Sequence, residues 1–397
     1  MIKLSQSVAS TITRALSALL IIALFSKSLN LESFSYYALG LLVAQISSVF
    51  IDAGVNNEIL RFARLEKDDI SNLRLNQSTI VRLILNFAIF LCCSIYLIRV
   101  DGTENKLIFI SSFIAGALTS ITESYLINMK SKGFFSKELS ISFLQAIVAI
   151  GFAYSSKLSS WATPLCIALP RLMFFYFIAI RNNSIFSSLT NFNISEIKQY
   201  YTKLKHYSID SIFSNISTQI DNLLIPILFG KEAFALYQPL SKLLSSGLTF
   251  SGAIGAFAIP LASTYKSNIK KLIFLNSIFI GFGLAAGITF FSLSKIFISY
   301  FFGEMFVLDE SIILLLSLTL AVRFFSAGSG SFLTLTGKQK TRATINSIIT
   351  SISIFAGSFF SSSISELLTI LLASQLLILT GYIATSIATT LETKPNS

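Results

Sequence analysis

Asp210, Ser214, Ser217 and Asp221 follow one another at steps of 4, 3 and 4. On a helix that spacing places all four on one stripe. Ser211, Asn215, Thr218 and Asn222 make a second stripe one residue on. Their neighbours are mostly apolar, so hydroxyls, amides and carboxylates are carried into a region where polar groups are costly and usually face a cavity or a partner. Similar faces recur along the chain: Ser7, Ser10, Arg14 and Ser17; Gln45, Asp52 and Asn56; Gly116, Ser120 and Glu123; Tyr237, Ser241 and Ser245 with Lys242 beside them; and Arg323, Ser326 and Gly330. Such faces can line a water-filled cavity. The competing reading is that Ser, Thr and Gly only allow close helix packing.

The charged members carry the chemistry. Arg14, Arg171, Lys242 and Arg323 are the candidate substrate-binding cations, with Arg14 and Arg323 expected to matter most because each stands on a polar stripe. A guanidinium can hold a phosphate or pyrophosphate through two parallel hydrogen bonds. With Arg82 added, five intramembrane cations stand against four acids, Asp52, Glu123, Asp210 and Asp221. This small excess favours an anionic cargo. Asp221, with Glu123, is the candidate for ion coupling, since a carboxylate at that depth can exchange a cation. The competitor is an internal ion pair that fixes helix register. Arg82, Asp52 and Asp210 are placed near the membrane surface, where snorkelling accounts for them.

These residues need an all-α membrane frame. Hydrophobic residues make up 53% of the 397, charged residues only 12%, and the mean hydropathy is +0.73. A soluble domain would carry about twice that charge. Twelve apolar segments of bilayer-crossing length are predicted at 7–26, 34–55, 79–98, 106–127, 139–156, 160–180, 207–229, 233–256, 271–293, 310–335, 343–361 and 365–388. Alternate loops differ in charge. Arg61, Arg64, Lys67, Arg74, Lys130, Lys132, Lys137, Arg181, Lys198, Lys203, Lys205, Lys266, Lys270, Lys271, Lys338, Lys340 and Arg342 make 17 cations on one side. Lys27, Arg99, Lys106, Lys157, Lys231 and Lys295 make six on the other. Basic loops stay in the cytoplasm, so both termini are expected there. The first helix is read as retained rather than as a cleaved signal.

The net charge of +11 is spread over five inner loops and suits anionic lipid; it gives no reason to invoke nucleic acid. Cys92, Cys93 and Cys166 fall inside helices without metal or redox spacing, and His206 is the only histidine. No phosphate-binding loop, dinucleotide fingerprint or zinc spacing is found. The longest polar stretch, 181–206, divides the chain into 1–195 and 196–397, two parallel six-helix bundles. Ala-Leu-Phe-Ser-Lys at 23–27 and Ile-Leu-Phe-Gly-Lys-Glu at 227–232, each followed by a Tyr (Tyr37, Tyr237), mark a repeat related by an axis along the membrane normal. Pro164, Pro170, Pro226, Pro239 and Pro260 mark bends or hinges.

The chain resembles bacterial polysaccharide flippases of the O-antigen type, in the MOP superfamily that also holds the MATE exporters. The resemblance rests on Asp-Ala-Gly-Val-Asn-Asn-Glu-Ile-Leu-Arg-Phe-Ala at 52–63, Gln-Ile-Asp-Asn-Leu-Leu-Ile at 219–225, Phe-Phe-Gly-Glu-Met-Phe at 301–306 and Leu-Thr-Gly-Lys-Gln-Lys at 335–340. Ala53 departs from the aromatic usual at its position.

The resemblance implies a multi-pass protein of the bacterial inner membrane with no enzymatic activity. Its cargo would be an undecaprenyl-pyrophosphate-linked oligosaccharide, carried to the periplasmic leaflet by alternating access, with membrane lipid around it. A glycan polymerase and a chain-length regulator are candidate partners. No cofactor is implied, and coupling to Na⁺ or H⁺ is open. Three other readings remain: a MATE-like cation-coupled exporter of small molecules, a ligase or polymerase of glycan assembly, which the short outer loops disfavour, and a scaffold.

Overall fold

The computed structural model describes residues 2–52, 55, 56, 59, 68–98, 100, 102–156, 163–181, 202 and 205–392. Within them the chain forms twelve α-helices and no strand: α1 (Ile2–Ser28), α2 (Leu31–Asp52), α3 (Asp68–Ile98), α4 (Thr103–Ser131), α5 (Phe135–Ser155), α6 (Thr163–Phe175), α7 (Lys205–Leu228), α8 (Gly230–Ser263), α9 (Asn268–Phe301), α10 (Glu310–Leu335), α11 (Gln339–Phe360) and α12 (Ile364–Glu392). A π-helical segment, Tyr176–Arg181, continues α6. Ten of the helices are long and apolar enough to cross a bilayer. Of the other two, α6 has a shorter apolar run, Thr163–Ile178, and the polar stripes of α7 lower its hydropathy. This is a multi-pass membrane protein. Helices suit that setting because each satisfies its backbone hydrogen bonds internally.

The helices run longer than hydropathy predicts. The third begins at Asp68, not at 79, so Asp-Asp-Ile-Ser-Asn-Leu-Arg-Leu-Asn-Gln-Ser adds about three turns of polar helix. The ninth extends to Phe301, beyond the predicted 293. Ala53, Arg61, Arg64, Lys67, Arg99, Lys157, Lys198 and Lys203 lie outside the described residues, as does most of the family stretch that follows Asp52. The side chains of Ser7 and Asp210 lie outside them too.

The chain divides into two compact units, Met1–Ile212 and Phe213–Ser397. In the first, α4 is the central helix and packs on α2 and α6, while α1 packs on α5. In the second, α10 is central and packs on α9, α12 and α8. The turns after the two central helices are alike. Each passes through a glycine in the left-handed region, Gly133 (φ 86°) and Gly337 (φ 75°). Each turn also closes on a backbone bond back into the helix, Phe134 N to Met129 O and Lys338 N to Leu333 O, both 2.9 Å. A residue with a Cβ would be strained in that region. Gly133 and Gly337 are 204 residues apart, as are Lys27 and Lys231, which fits an internal repeat.

The contact between α2 and α4 is built on small residues. A methyl group at Gly40 would come within 2.6 Å of the Phe109 carbonyl oxygen, and one at Gly116 within 2.6 Å of Ala44 Cβ. Gly116 therefore serves close packing, the second of the two readings its sequence position allowed. With no hydrophobic force between helices in lipid, van der Waals contact of this kind drives their association. Gly116→Val should overpack the seam at a cost of about 1–3 kcal/mol. Thermal unfolding of the purified protein in detergent should show a lower Tm; an unchanged Tm would mean that α2 and α4 do not approach this closely.

Candidate functional site

In the first unit, helices α1, α4 and α5 bring four charges together. Arg14, on α1, places Nη1 3.2 Å from Glu123 Oε1 on α4 and Nη2 3.4 Å from Glu138 Oε1 on α5. Ser10, one turn before Arg14, donates its hydroxyl to Glu138 Oε1. Lys130, on α4, is within electrostatic reach of all three charged groups. The carboxylates differ sharply in setting: the Glu123 side chain is 52% exposed and that of Glu138 1%. The Arg14 side chain lies between them at 27%. Two buried atoms, Glu138 Oε2 and Arg14 Nε, have no hydrogen-bond partner among the described residues. The apolar stretch of α1 begins at Val8, so Arg14 stands ~9 Å into it at 1.5 Å per residue.

Sequence reasoning paired neither Arg14 with Glu123 nor either with Glu138. The fifth helix was predicted to begin at 139, which left Glu138 in a basic loop. The helix starts at Phe135, and Glu138, Ser142, Gln145 and Ala149 are all buried along it. Their steps of 4, 3 and 4 are the signal that would have placed Glu138 inside the bundle.

A second cluster corrects the snorkelling assignment of Arg82 and Asp52. Arg82 is only 2% exposed. Its guanidinium pairs with Asp52, at the end of α2, and donates to the Ser124 hydroxyl on α4. Asn76, Gln77, Ser78 and Thr79, one to two turns earlier on α3, are buried as well. Tyr125 donates its phenol to Asn76 Oδ1 at 3.1 Å. Arg82 turns inward because a charge-assisted partner waits there, and α3 extends beyond its hydropathic core to bring the polar residues with it.

Arg171, on α6, is half-buried. It lies within electrostatic reach of Tyr37 and makes no hydrogen bond or ion pair with another described residue. The first unit therefore keeps Arg171 apart from the Arg14 cluster.

In the second unit, Arg323 stands midway along α10 and reaches α7. Its Nη2 donates to the Ser217 carbonyl at 3.1 Å and its Nη1 to the Thr218 carbonyl at 3.4 Å. Gln375 on α12 donates to the Ser217 hydroxyl at 3.0 Å. Asp221, 2% exposed, accepts a 2.5 Å hydrogen bond from Tyr237 on α8 and lies within electrostatic reach of Arg323. Its other oxygen, Oδ1, is buried without a hydrogen-bond partner among the described residues. One residue on, Ser241 donates to Asn222 Oδ1 at 2.7 Å. The polar stripes of α7 are thus engaged with α8, α10 and α12. Lys242, on α8, is half-buried.

A family model described as polysaccharide biosynthesis protein matches residues 24–307. The chain belongs to that family. Solved structures of transporters share its fold. The lipid II flippase MurJ, in an inward closed conformation, is similar with a TM-score of 0.72 at 14% identity, over 98% of this chain and 89% of that one. An inward-facing multidrug resistance MATE transporter of the MOP superfamily gives 0.66 at 13%, over 96% of each chain. A eukaryotic MATE transporter gives 0.64 at 14%, over 97% and 95%. No curated protein sequence matches the chain. The expected all-α membrane architecture, with the fold of the MOP-superfamily transporters, is met.

This family member holds its most buried cation by a carboxylate, which sets up a double-mutant test. Arg82→Ala removes the buried guanidinium that pairs with Asp52 and donates to Ser124, and should cost a few kcal/mol, about 3. Removing both partners in Arg82→Ala/Asp52→Ala should cost less than the two single changes summed. Unfolding midpoints of the four proteins read the coupling; strict additivity would show that the pair adds nothing.

Proposed function

We propose that the chain is a flippase for a lipid-linked glycan. It moves an undecaprenyl-pyrophosphate-linked oligosaccharide from the cytoplasmic to the periplasmic leaflet of the bacterial inner membrane. The family match supports work on a polysaccharide precursor, and MurJ, named a lipid II flippase, has the same fold. The uneven distribution of basic residues, 17 against six, supports cytoplasmic termini. The energetic need is plain: each unsatisfied polar group of a sugar costs several kcal/mol in hydrocarbon, and a polar, cationic path lowers that barrier.

The observation that carries the reading is Arg171. It is a half-buried arginine on α6, a short apolar helix, without an ion-pair partner among the described residues. A cation at such depth is expensive, and an anionic headgroup supplies a reason to keep it there. Arg14 is reachable but held by carboxylates. Arg323 is committed to backbone carbonyls, so its part in this mechanism is to brace α7 rather than to hold cargo. Lys242 supplies a compact charge on α8.

Restoration of surface polysaccharide in a flippase-deficient strain tests these roles, with membrane levels of each variant measured first. Arg171→Ala and Lys242→Ala should reach the membrane normally and restore polysaccharide poorly, and Arg171→Lys should be milder than Arg171→Ala. Arg323→Ala should lose membrane level as well. Full restoration by Arg14→Ala, Arg171→Ala, Lys242→Ala and Arg323→Ala, all at normal levels, would rule out a cationic path.

A second reading, a MATE-like exporter coupled to a cation, draws on Asp221 with its unengaged oxygen. Coupling at that carboxylate also fits a flippase. In vesicles with an imposed Na⁺ or H⁺ gradient, Asp221→Asn should lose gradient-dependent transport. If the variant keeps its gradient dependence, Asp221 serves only to hold Tyr237.

A further inference from the structure

We propose that Glu138 is a proton-binding site that controls whether Arg14 is free to hold an anionic headgroup. The inference rests on the flippase reading and adds to it a coupling ion and the place where that ion acts.

The geometry supplies the reason. Arg14 is bound on two sides, by Glu123 Oε1 at 3.2 Å and Glu138 Oε1 at 3.4 Å. With Lys130 in reach, the cluster holds two cations and two carboxylates and is neutral when all four are ionised. A phosphate arriving at Arg14 breaks that balance, and restoring it takes one proton. Glu123 is half in solvent, where water stabilises its charge. Glu138 is the buried carboxylate, with a side chain 1% exposed. Its Oε1 is already used by Ser10 and Arg14. Its Oε2 is buried and unpartnered among the described residues, so an incoming proton has an open oxygen to occupy.

Among the described side chains, the groups facing Glu138 are few. From α1 come Arg14 and the Ser10 hydroxyl, and from α4 come Glu123 and Lys130. On α6, the charged side chain Arg171 interacts with Tyr37 instead. In the empty state Glu138 clamps Arg14. A proton taken from water onto Oε2 removes the negative charge, the clamp loosens, and Arg14 turns its free Nε edge and both Nη groups to the phosphate. Release of the anion reverses the step and returns the proton. Anion binding and proton uptake are then linked, each strengthening the other.

The test uses the full chain in lipid nanodiscs, with farnesyl pyrophosphate as the probe. Titration calorimetry in buffers of different ionisation enthalpy counts the protons taken up with the probe, and linkage predicts roughly one more for the wild type than for Glu138→Gln. The difference between the two proteins cancels the ionisation of the probe itself. Probe affinity should rise as pH falls in the wild type by more than the probe's own titration gives, and this extra dependence should vanish in Glu138→Gln. Glu123→Gln should keep the proton uptake, because its carboxylate is the hydrated one. Infrared difference spectra on adding probe should show a protonated-carboxyl band that Glu138→Gln lacks. Should Glu138→Gln fail to fold, that band must still appear in Glu123→Gln and be lost in Arg14→Ala, which has no clamp to release. Probe binding with the same proton uptake in wild type and Glu138→Gln overturns the proton site and leaves the flippase reading intact. Absence of probe binding to the wild type at any pH overturns the anion reading and the proton site with it.

Discussion

An ion in hydrocarbon must be answered by a partner, and this chain meets that demand four times in four ways. Arg82 is answered by Asp52 and a serine hydroxyl. Arg14 is shared between an exposed and a buried carboxylate. Asp221 takes a phenol hydrogen bond. Arg323 takes two helix carbonyls. Moving a single charge to the centre of a bilayer costs about 3 kcal/mol or more, so each arrangement constrains where its helices sit. The length of α3, the start of α5 and the reach of Arg323 from α10 to α7 all follow from where these partners must meet.

The partners differ in permanence. Replacing a backbone carbonyl as acceptor requires the helix itself to move, so Arg323 is a brace. A doubly engaged buried guanidinium such as Arg82 is also fixed, because separating it from Asp52 strands two charges. A carboxylate with a free oxygen is different, since a proton alone removes its charge. Glu138 and Asp221 share that feature, one in each compact unit. A transporter needs rigid elements that keep its helices in register and a few groups whose charge can change. The two kinds are distinguishable here by which acceptor each cation uses.

The helical frame was legible in the sequence because bilayer thickness imposes one strong length scale. Twelve helices follow from apolar runs and their punctuation. Helix ends were less legible: α3 and α5 begin in polar sequence, and a hydropathic reading stops where polarity starts. That error hid Glu138 and misplaced Arg82. Pairing was not legible at all. Arg14 and Glu123 are 109 residues apart and Arg323 and Ser217 are 106 apart, and nothing local announces such contacts. Gly116 shows the opposite failure. A small residue on a polar stripe fits a cavity face and a tight seam equally well until its neighbour, Ala44, is known.

Helix α4 connects the two charge clusters of the first unit. Glu123 faces Arg14, and Ser124, the next residue, faces Arg82. Successive residues on a helix point about 100° apart, so α4 is gripped from two directions at one level. On one side the grip is permanent, since the buried Arg82 pairs with Asp52 and α2 packs on α4 through Gly40 and Gly116. On the other side it depends on Arg14, whose second anchor is Glu138. Loosening the Glu138 contact would part α1 from α5 at this point and leave Arg14 tied to α4 through Glu123 alone, without disturbing the block made of α2, α3 and α4. The changeable contact lies between α1 and α5, helices that pack on each other and only lightly on the central one. A charge change at that one carboxylate acts on this contact alone, because the rest of the unit is held by the Arg82–Asp52 pair and the close α2–α4 seam.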